Sequence, residues 1–354
     1  MGISSEKATS NLKLVAITWP IFVELFLQTI MGSTDTIMLS RISDNAVAAV
    51  GVANQLVFFC ILIFNFISSG TAVVLSQYLG AGLYKEAKSV TAISITINLI
   101  IGLIISLIMI VFEKQFLGLF NLSKELSVLG EQYLFIVGGT LFIQALLQTA
   151  STILRVNGFT RDAMFVSIFM NVVHLIFNSI FIFGLLGVPS MGVSGPGFST
   201  AISRTLALIV IFRLIYTRIS INLKLKDYLK IELTHIKKIL KVGIPAAGEQ
   251  VSYNTSQLAI TAFIAILGSV ALTTRVYTQN IMSYIMLFGV AMGQGTQILV
   301  GHKVGAGDFD GAYRQLLKSL KYSFVITILV AILMASIGGY LLVIFTDRAA
   351  EPRS

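Results

Sequence analysis

The segment Pro20 to Ser43, PIFVELFLQTIMGSTDTIMLSRIS, is an apolar run that holds Glu24, Gln28 and Asp35 in its interior. Together with Pro20 these side chains are spaced 4, 4 and 7 residues apart, which puts them on one face of a helix. About 20 predominantly apolar residues suffice to cross a bilayer, so the run predicts a membrane span. An ionisable group inside a span costs about 2.5–3.5 kcal/mol on insertion scales, so the polar face must look into a cavity or onto another helix. Pro20 removes a backbone donor, and a hinge or break is expected there, with a neighbour satisfying the freed carbonyl.

The rest of the chain repeats this character. Its 354 residues are 56% hydrophobic and 12% charged, with a mean hydropathy of +0.88, which excludes a soluble globular protein. Nine apolar runs are long enough to span, at roughly 14–39, 46–76, 89–112, 128–154, 163–186, 196–217, 240–268, 276–301 and 319–345. The net charge of +9 is read as a loop bias and not as nucleic-acid binding. With the N-terminus placed in the cytoplasm, 17 Lys and Arg fall in inner segments, Arg155 and Arg161 among them, and 6 fall outside. The single cysteine, Cys60, leaves no disulfide framework and no cysteine metal pair. Between Arg218 and Lys241 a stripe of Leu229, Leu233, Ile236 and Leu240 among lysines predicts an amphipathic helix on the inner leaflet, or a linker between two bundles.

An internal repeat sets the architecture. At an offset of 225 residues Lys13 meets Lys238, Pro20 meets Pro245 and Glu24 meets Glu249. Gly70-Thr71 then meets Gly295-Thr296, and Gly80-Ala81-Gly82 meets Gly305-Ala306-Gly307. Aligned Pro, Glu and Gly blocks in one register are not a product of apolar composition alone. Six spans separate each residue from its copy, so the halves point the same way. The expected organisation is an all-α polytopic membrane protein of two parallel-repeat lobes: a six-helix lobe at 1–217, a cytoplasmic linker at 218–239, a lobe of three helices at 240–346 and a polar tail at 347–354. The second half reads as truncated, because the copy of residues 128–217 does not follow.

Candidate functional groups are the polar side chains within the spans. The second-half stripe runs Pro245, Glu249, Tyr253 and Ile260, so the glutamate is duplicated and Asp35 is not. Carboxamide pairs recur at Asn54-Gln55 and Gln279-Asn280. The fifth run carries Asn171, His174 and Asn178 on one face, and the sixth carries Ser199, Thr200, Ser203 and Arg204. A carboxylate among carboxamide and hydroxyl oxygens suits a small hard cation or a shared proton. Arg204 needs an anionic partner, Glu24 or Asp35, or a wet cavity. Gly192-Val193-Ser194-Gly195 matches the GxSG of intramembrane serine proteases, but the three histidines lie on other segments, and the glycines read better as a turn. No GxxxxGK[ST] motif is present.

Pro20–Ser43, Phe181–Ser203 and the VGIPAAGEQ of 242–250 resemble the first, fifth-to-sixth and seventh helices of MATE (multidrug and toxic-compound extrusion) transporters, a likeness that covers about residues 10–346. The resemblance implies two six-helix lobes and drug export in exchange for Na⁺ or H⁺, with no other cofactor. By position it assigns cation coupling to Asp35, a possible Na⁺ ligand, with Asn178, Thr200 and His174. His174 stands where members often have Asn. The family's second-lobe acid falls at Tyr253 here, while Glu249 lies one turn earlier. Glu24, Gln28, Gln55, Arg204, Glu249, Tyr253, Gln279 and Asn280 are the expected cavity residues. Expected partners are small organic substrates, most of them cations, and the lipid bilayer of the cell membrane, with no nucleic acid and no obligate protein partner. The alternatives are a lipid-linked oligosaccharide flippase of the related superfamily, which needs several cavity Arg or Lys, and an intramembrane hydrolase acting through Ser194.

Overall fold

Backbone N–H and C=O groups find no water in hydrocarbon, so apolar runs of this length satisfy them internally as helices. The computed structural model describes residues 13–219, 223–230 and 232–345; the side chains of 269–270, 272–273, 276–277, 280–281, 334–335 and 337–345 lie outside the description. Twelve α-helices occur among the described residues: α1 Leu14–Ser40, α2 Asp44–Gly80, α3 Tyr84–Val111, α4 Glu113–Gly118, α5 Lys124–Gly139, α6 Leu141–Val156, α7 Thr160–Phe183, α8 Ser194–Arg218, α9 Leu225–Tyr228, α10 Leu233–Ile266, α11 Ser269–Gly305 and α12 Phe309–Phe345. The expected tail at 347–354 lies outside them.

Seven of these helices are long and apolar enough to cross a membrane, or eight if α5 and α6 form one bent span. The sequence-based count of nine is not reached on these criteria. The difference lies in α10, whose apolar end is preceded by the polar stretch Ser252-Tyr253-Asn254-Thr255-Ser256-Gln257. The fourth apolar run, read as one helix, is broken by 44° between Gly139 and Leu141. Ser106 Oγ accepts a hydrogen bond from the Phe142 N–H at 3.1 Å, so the break leaves that donor satisfied.

Two further expectations are corrected. Residues 218–241 do not form one amphipathic helix: α9 is a single turn, Leu229 ends it, and Leu233 begins α10, which continues into the seventh apolar run. The short α9 is held by a capping box between Lys224 and Asp227, by the Lys88–Asp227 ion pair at 2.7 Å and by Thr96 Oγ1, which donates to the Tyr228 carbonyl at 2.8 Å. Pro20 likewise does not break α1, and Pro245 does not break α10. The carbonyl that Pro20 frees belongs to Ala16, four residues earlier, and the buried Thr160 hydroxyl donates to it at 3.1 Å. The lost intrahelical bond is thus replaced across the α1–α7 contact.

The two halves meet where α1 and α2 pack on α10 and α11. Here the glycines of the repeat carry a packing role. A Cβ on Gly80 would lie 2.0 Å from the His302 carbonyl oxygen, and one on Gly305 would lie 2.0 Å from that of Gln77. Subtracting the offset of 225 turns 305 into 80 and 302 into 77, so the two contacts are copies exchanged by the repeat. They form one crossing of α2 and α11 about a local pseudo-twofold axis. Gly82 (φ 69°) and Gly307 (φ 77°) adopt the left-handed conformation just beyond the two helix ends, which glycine tolerates without a Cβ clash.

The seam is packed at this end. Thr18 lies 3.7 Å from Met292 Sδ, and the Phe22 and Phe288 ring centroids lie 6.0 Å apart.

Candidate functional site

Near the far end of α1, Asp35 faces α7. His174 Nε2 lies 2.9 Å from Asp35 Oδ1, and Asn178 Nδ2 donates to the same oxygen at 2.7 Å. The i, i+4 spacing of His174 and Asn178 stacks them on one face of α7, which is why both reach one carboxylate. Both are buried, while Asp35 keeps 19% of its side chain exposed. Among the described residues no side chain reaches Asp35 Oδ2, and Asn178 Oδ1 is buried with no hydrogen-bond partner. A carboxylate oxygen and an amide oxygen therefore remain available to a hard cation, and Oδ2 to a proton. Thr200 is buried on α8, with no hydrogen bond to Asp35 among the described residues.

Arg204 does not pair as expected. No carboxylate lies within ion-pair distance of it among the described residues, and its Nη1 is buried without a partner. It sits within electrostatic range of Asp35 and Tyr133. Tyr133 in turn donates to Asn54 Oδ1 at 3.0 Å. Asn54 and Gln55 are themselves exposed and, with Gly51, Phe58 and Phe59, line only an open depression on the surface of α2.

Glu24 also departs from the cavity reading, since it is 5% exposed and its partner is Arg155, with Nη1 3.6 Å from Oε2. The same Nη1 donates to Gln294 Oε1 of α11 at 3.1 Å, and Nη2 donates to Thr152 Oγ1 at 3.3 Å. Sequence reading placed Arg155 in a solvated loop because it ends an apolar run; the fold turns the last turn of α6 inward instead. The one signal that could have found it is the unanswered charge of Glu24 in the first span.

The remaining candidates do not join these clusters. Gln28 and Glu249 are exposed, and Gln279 is half-buried. Tyr253 Oη is 3.9 Å from Met286 Sδ. The Asn280 side chain lies outside the described residues. Each histidine is engaged away from Ser194: His174 with Asp35, His235 with Glu86 and Glu232 at 3.0 Å, and His302 with the Val156 carbonyl at 2.9 Å. Ser194 simply opens α8 after Gly192, whose φ is 53°.

Long apolar helices with buried charges at a seam between duplicated halves define a polytopic membrane transporter. The family model described as MatE matches residues 20–180 and 245–351. The uncharacterized transporter YisQ of Bacillus subtilis (strain 168) is 45% identical over 340 residues, which cover 96% of this chain and 75% of that protein. The multidrug resistance protein NorM of Vibrio cholerae is 25% identical over 312 residues, covering 87% of this chain and 67% of NorM. Among solved structures, an outward-facing multidrug resistance MATE family transporter of the MOP superfamily shares the fold, with a TM-score of 0.87 and 20% identity over 98% of this chain and 75% of that one. The chain belongs to the MATE family, whose members are secondary transporters and not enzymes.

Proposed function

We propose that this protein exports small organic compounds, chiefly cations, in exchange for Na⁺ or H⁺, and that Asp35 is the coupling acid. The observation that carries the reading is the one-sided engagement of Asp35. Two donors from α7 hold Oδ1, while Oδ2 and the buried Asn178 Oδ1 have no hydrogen-bond partner among the described residues. Multidrug resistance relatives such as NorM of Vibrio cholerae support the substrate class. In this reading His174 and Asn178 fix the carboxylate and Thr200 completes the site. Gln28, Gln55, Arg204, Glu249, Tyr253, Gln279 and Asn280 line the substrate path. The lobes divide as 1–217 and 240–346 around a linker at 218–239, α10 supplies the seventh of nine spans, and the N-terminus faces the cytoplasm of a plasma-membrane protein.

The test is efflux of a fluorescent organic cation from proteoliposomes under an imposed Na⁺ or pH gradient. Asp35→Asn should lose gradient-driven efflux while keeping its fold by circular dichroism. Wild-type gradient dependence in that variant would sink the assignment.

A further inference from the structure

The end of the seam that carries the Gly-Ala-Gly turns is closed by more than apolar contact. The last turn of α6 is docked on α11 at two points two helical turns apart, Arg155 on Gln294 and the Val156 carbonyl on His302. Of these two points only Arg155 brings a charge to the seam, and only 13% of its side chain is exposed. A buried guanidinium that let go of every acceptor would be strongly unfavourable. Here it would not have to, because Glu24 and Thr152 hold it from within the first half. Glu24 is itself buried and has a free oxygen, Oε1, so a guanidinium swung wholly onto its carboxylate would find a second acceptor there.

We propose that Arg155 is the gate of this end of the seam. It bridges to Gln294 when the halves are closed here and falls back onto Glu24 when they part, so that Arg155 exchanges one hydrogen bond to a neutral amide and strands no charge, while the neutral His302–Val156 contact is released beside it. Glu24 is then a positioning residue that holds Arg155, and its conservation of charge within one half is what makes the bridge reversible. The inference rests on the export reading above, taken to proceed by opening the two ends of the seam in turn, with this end the cytoplasmic one.

The test reads a distance and needs neither substrate nor coupling ion. Spin labels are placed at Lys85→Cys and Arg314→Cys, exposed positions that follow the two Gly-Ala-Gly turns, in a Cys60→Ala background. Loss of one hydrogen bond to a charged group should raise the open-to-closed ratio about tenfold, seen by pulsed electron paramagnetic resonance as a longer-distance population. Arg155→Gln and Gln294→Leu should both produce it, and Arg155→Lys should restore part of the closed population. Gln294→Leu leaves the Glu24–Arg155 pair intact, so it reports on the bridge even if Arg155→Gln fails to fold. Distances unchanged from wild type in Gln294→Leu, or in a folded Arg155→Gln, overturn the gate. That outcome would leave coupling at Asp35 untouched, because the proteoliposome assay tests it separately.

Discussion

Replacing Gly80 by alanine places a methyl group where two helix backbones approach most closely across the seam, a closeness that Gly305 shares. The added Cβ would sit 2.0 Å from the His302 carbonyl oxygen, and ordinary contact begins near 3.4 Å, so α2 and α11 must separate by about 1.4 Å. The obstacle is backbone on a rigid helix and cannot rotate away. Overpacking of this kind costs about 1–3 kcal/mol, offset in part by the roughly 0.5–1 kcal/mol that alanine gains over glycine in a helix. Gly305→Ala meets Gln77 at the same distance and should cost about as much. The double variant should cost little more than either single one, because one separation of the helices relieves both clashes. Gly32→Ala, where nothing lies within 4 Å, is the control and should melt at or slightly above the wild-type temperature. Thermal unfolding in detergent by circular dichroism measures all four. A Gly80→Ala protein as stable as wild type, or a double variant whose loss equals the sum of the singles, would refute the reciprocal crossing.

Thr160→Val should destabilise by about 1–3 kcal/mol by leaving the Ala16 carbonyl without its donor, and the loss should shrink in a Pro20→Ala background, where α1 supplies the missing N–H. A thermal-melt double-mutant cycle with no coupling would show that the hydroxyl serves another purpose. At the linker, Lys88 and the Lys224 backbone N–H hold the Asp227 carboxyl below its ordinary value of 3.8. A lowered folded-state value means that its contribution is complete above about pH 4 and fades as the pH falls through the folded value. Asp227→Asn imitates the acid form and should speed tryptic cleavage at Lys224, Lys226 or Lys230 at neutral pH; an unchanged cleavage rate would remove the ion pair as the anchor of α9.

Much of the molecule was legible in one dimension because transfer from water to hydrocarbon depends on composition alone. The apolar runs located α1, α2 and α3 and placed Asp35, His174 and Asn178 on polar faces, and the structure joins those three side chains. What the runs could not carry was lateral arrangement. The bend between α5 and α6 lies within continuous apolar sequence and arises where Ser106 caps a free N–H from another helix. The linker stripe has helical spacing but lacks the partners that would make one helix of it, since Asp227 and Tyr228 are drawn to α3 instead.

The sequence by itself determined that this is a duplicated, all-helical membrane protein with an unrepeated acid in its first span, because hydropathy, spacing and repetition are written along the chain. Only the tertiary structure decided which charge answers which. It turned Arg155 from a loop residue into the partner of Glu24 and Gln294, left Arg204 without a carboxylate among the described residues, and made the repeated glycines a crossing between halves. Ion pairs and backbone approaches are short-ranged and depend on which helices lie side by side, and no residue's immediate sequence records its lateral neighbour.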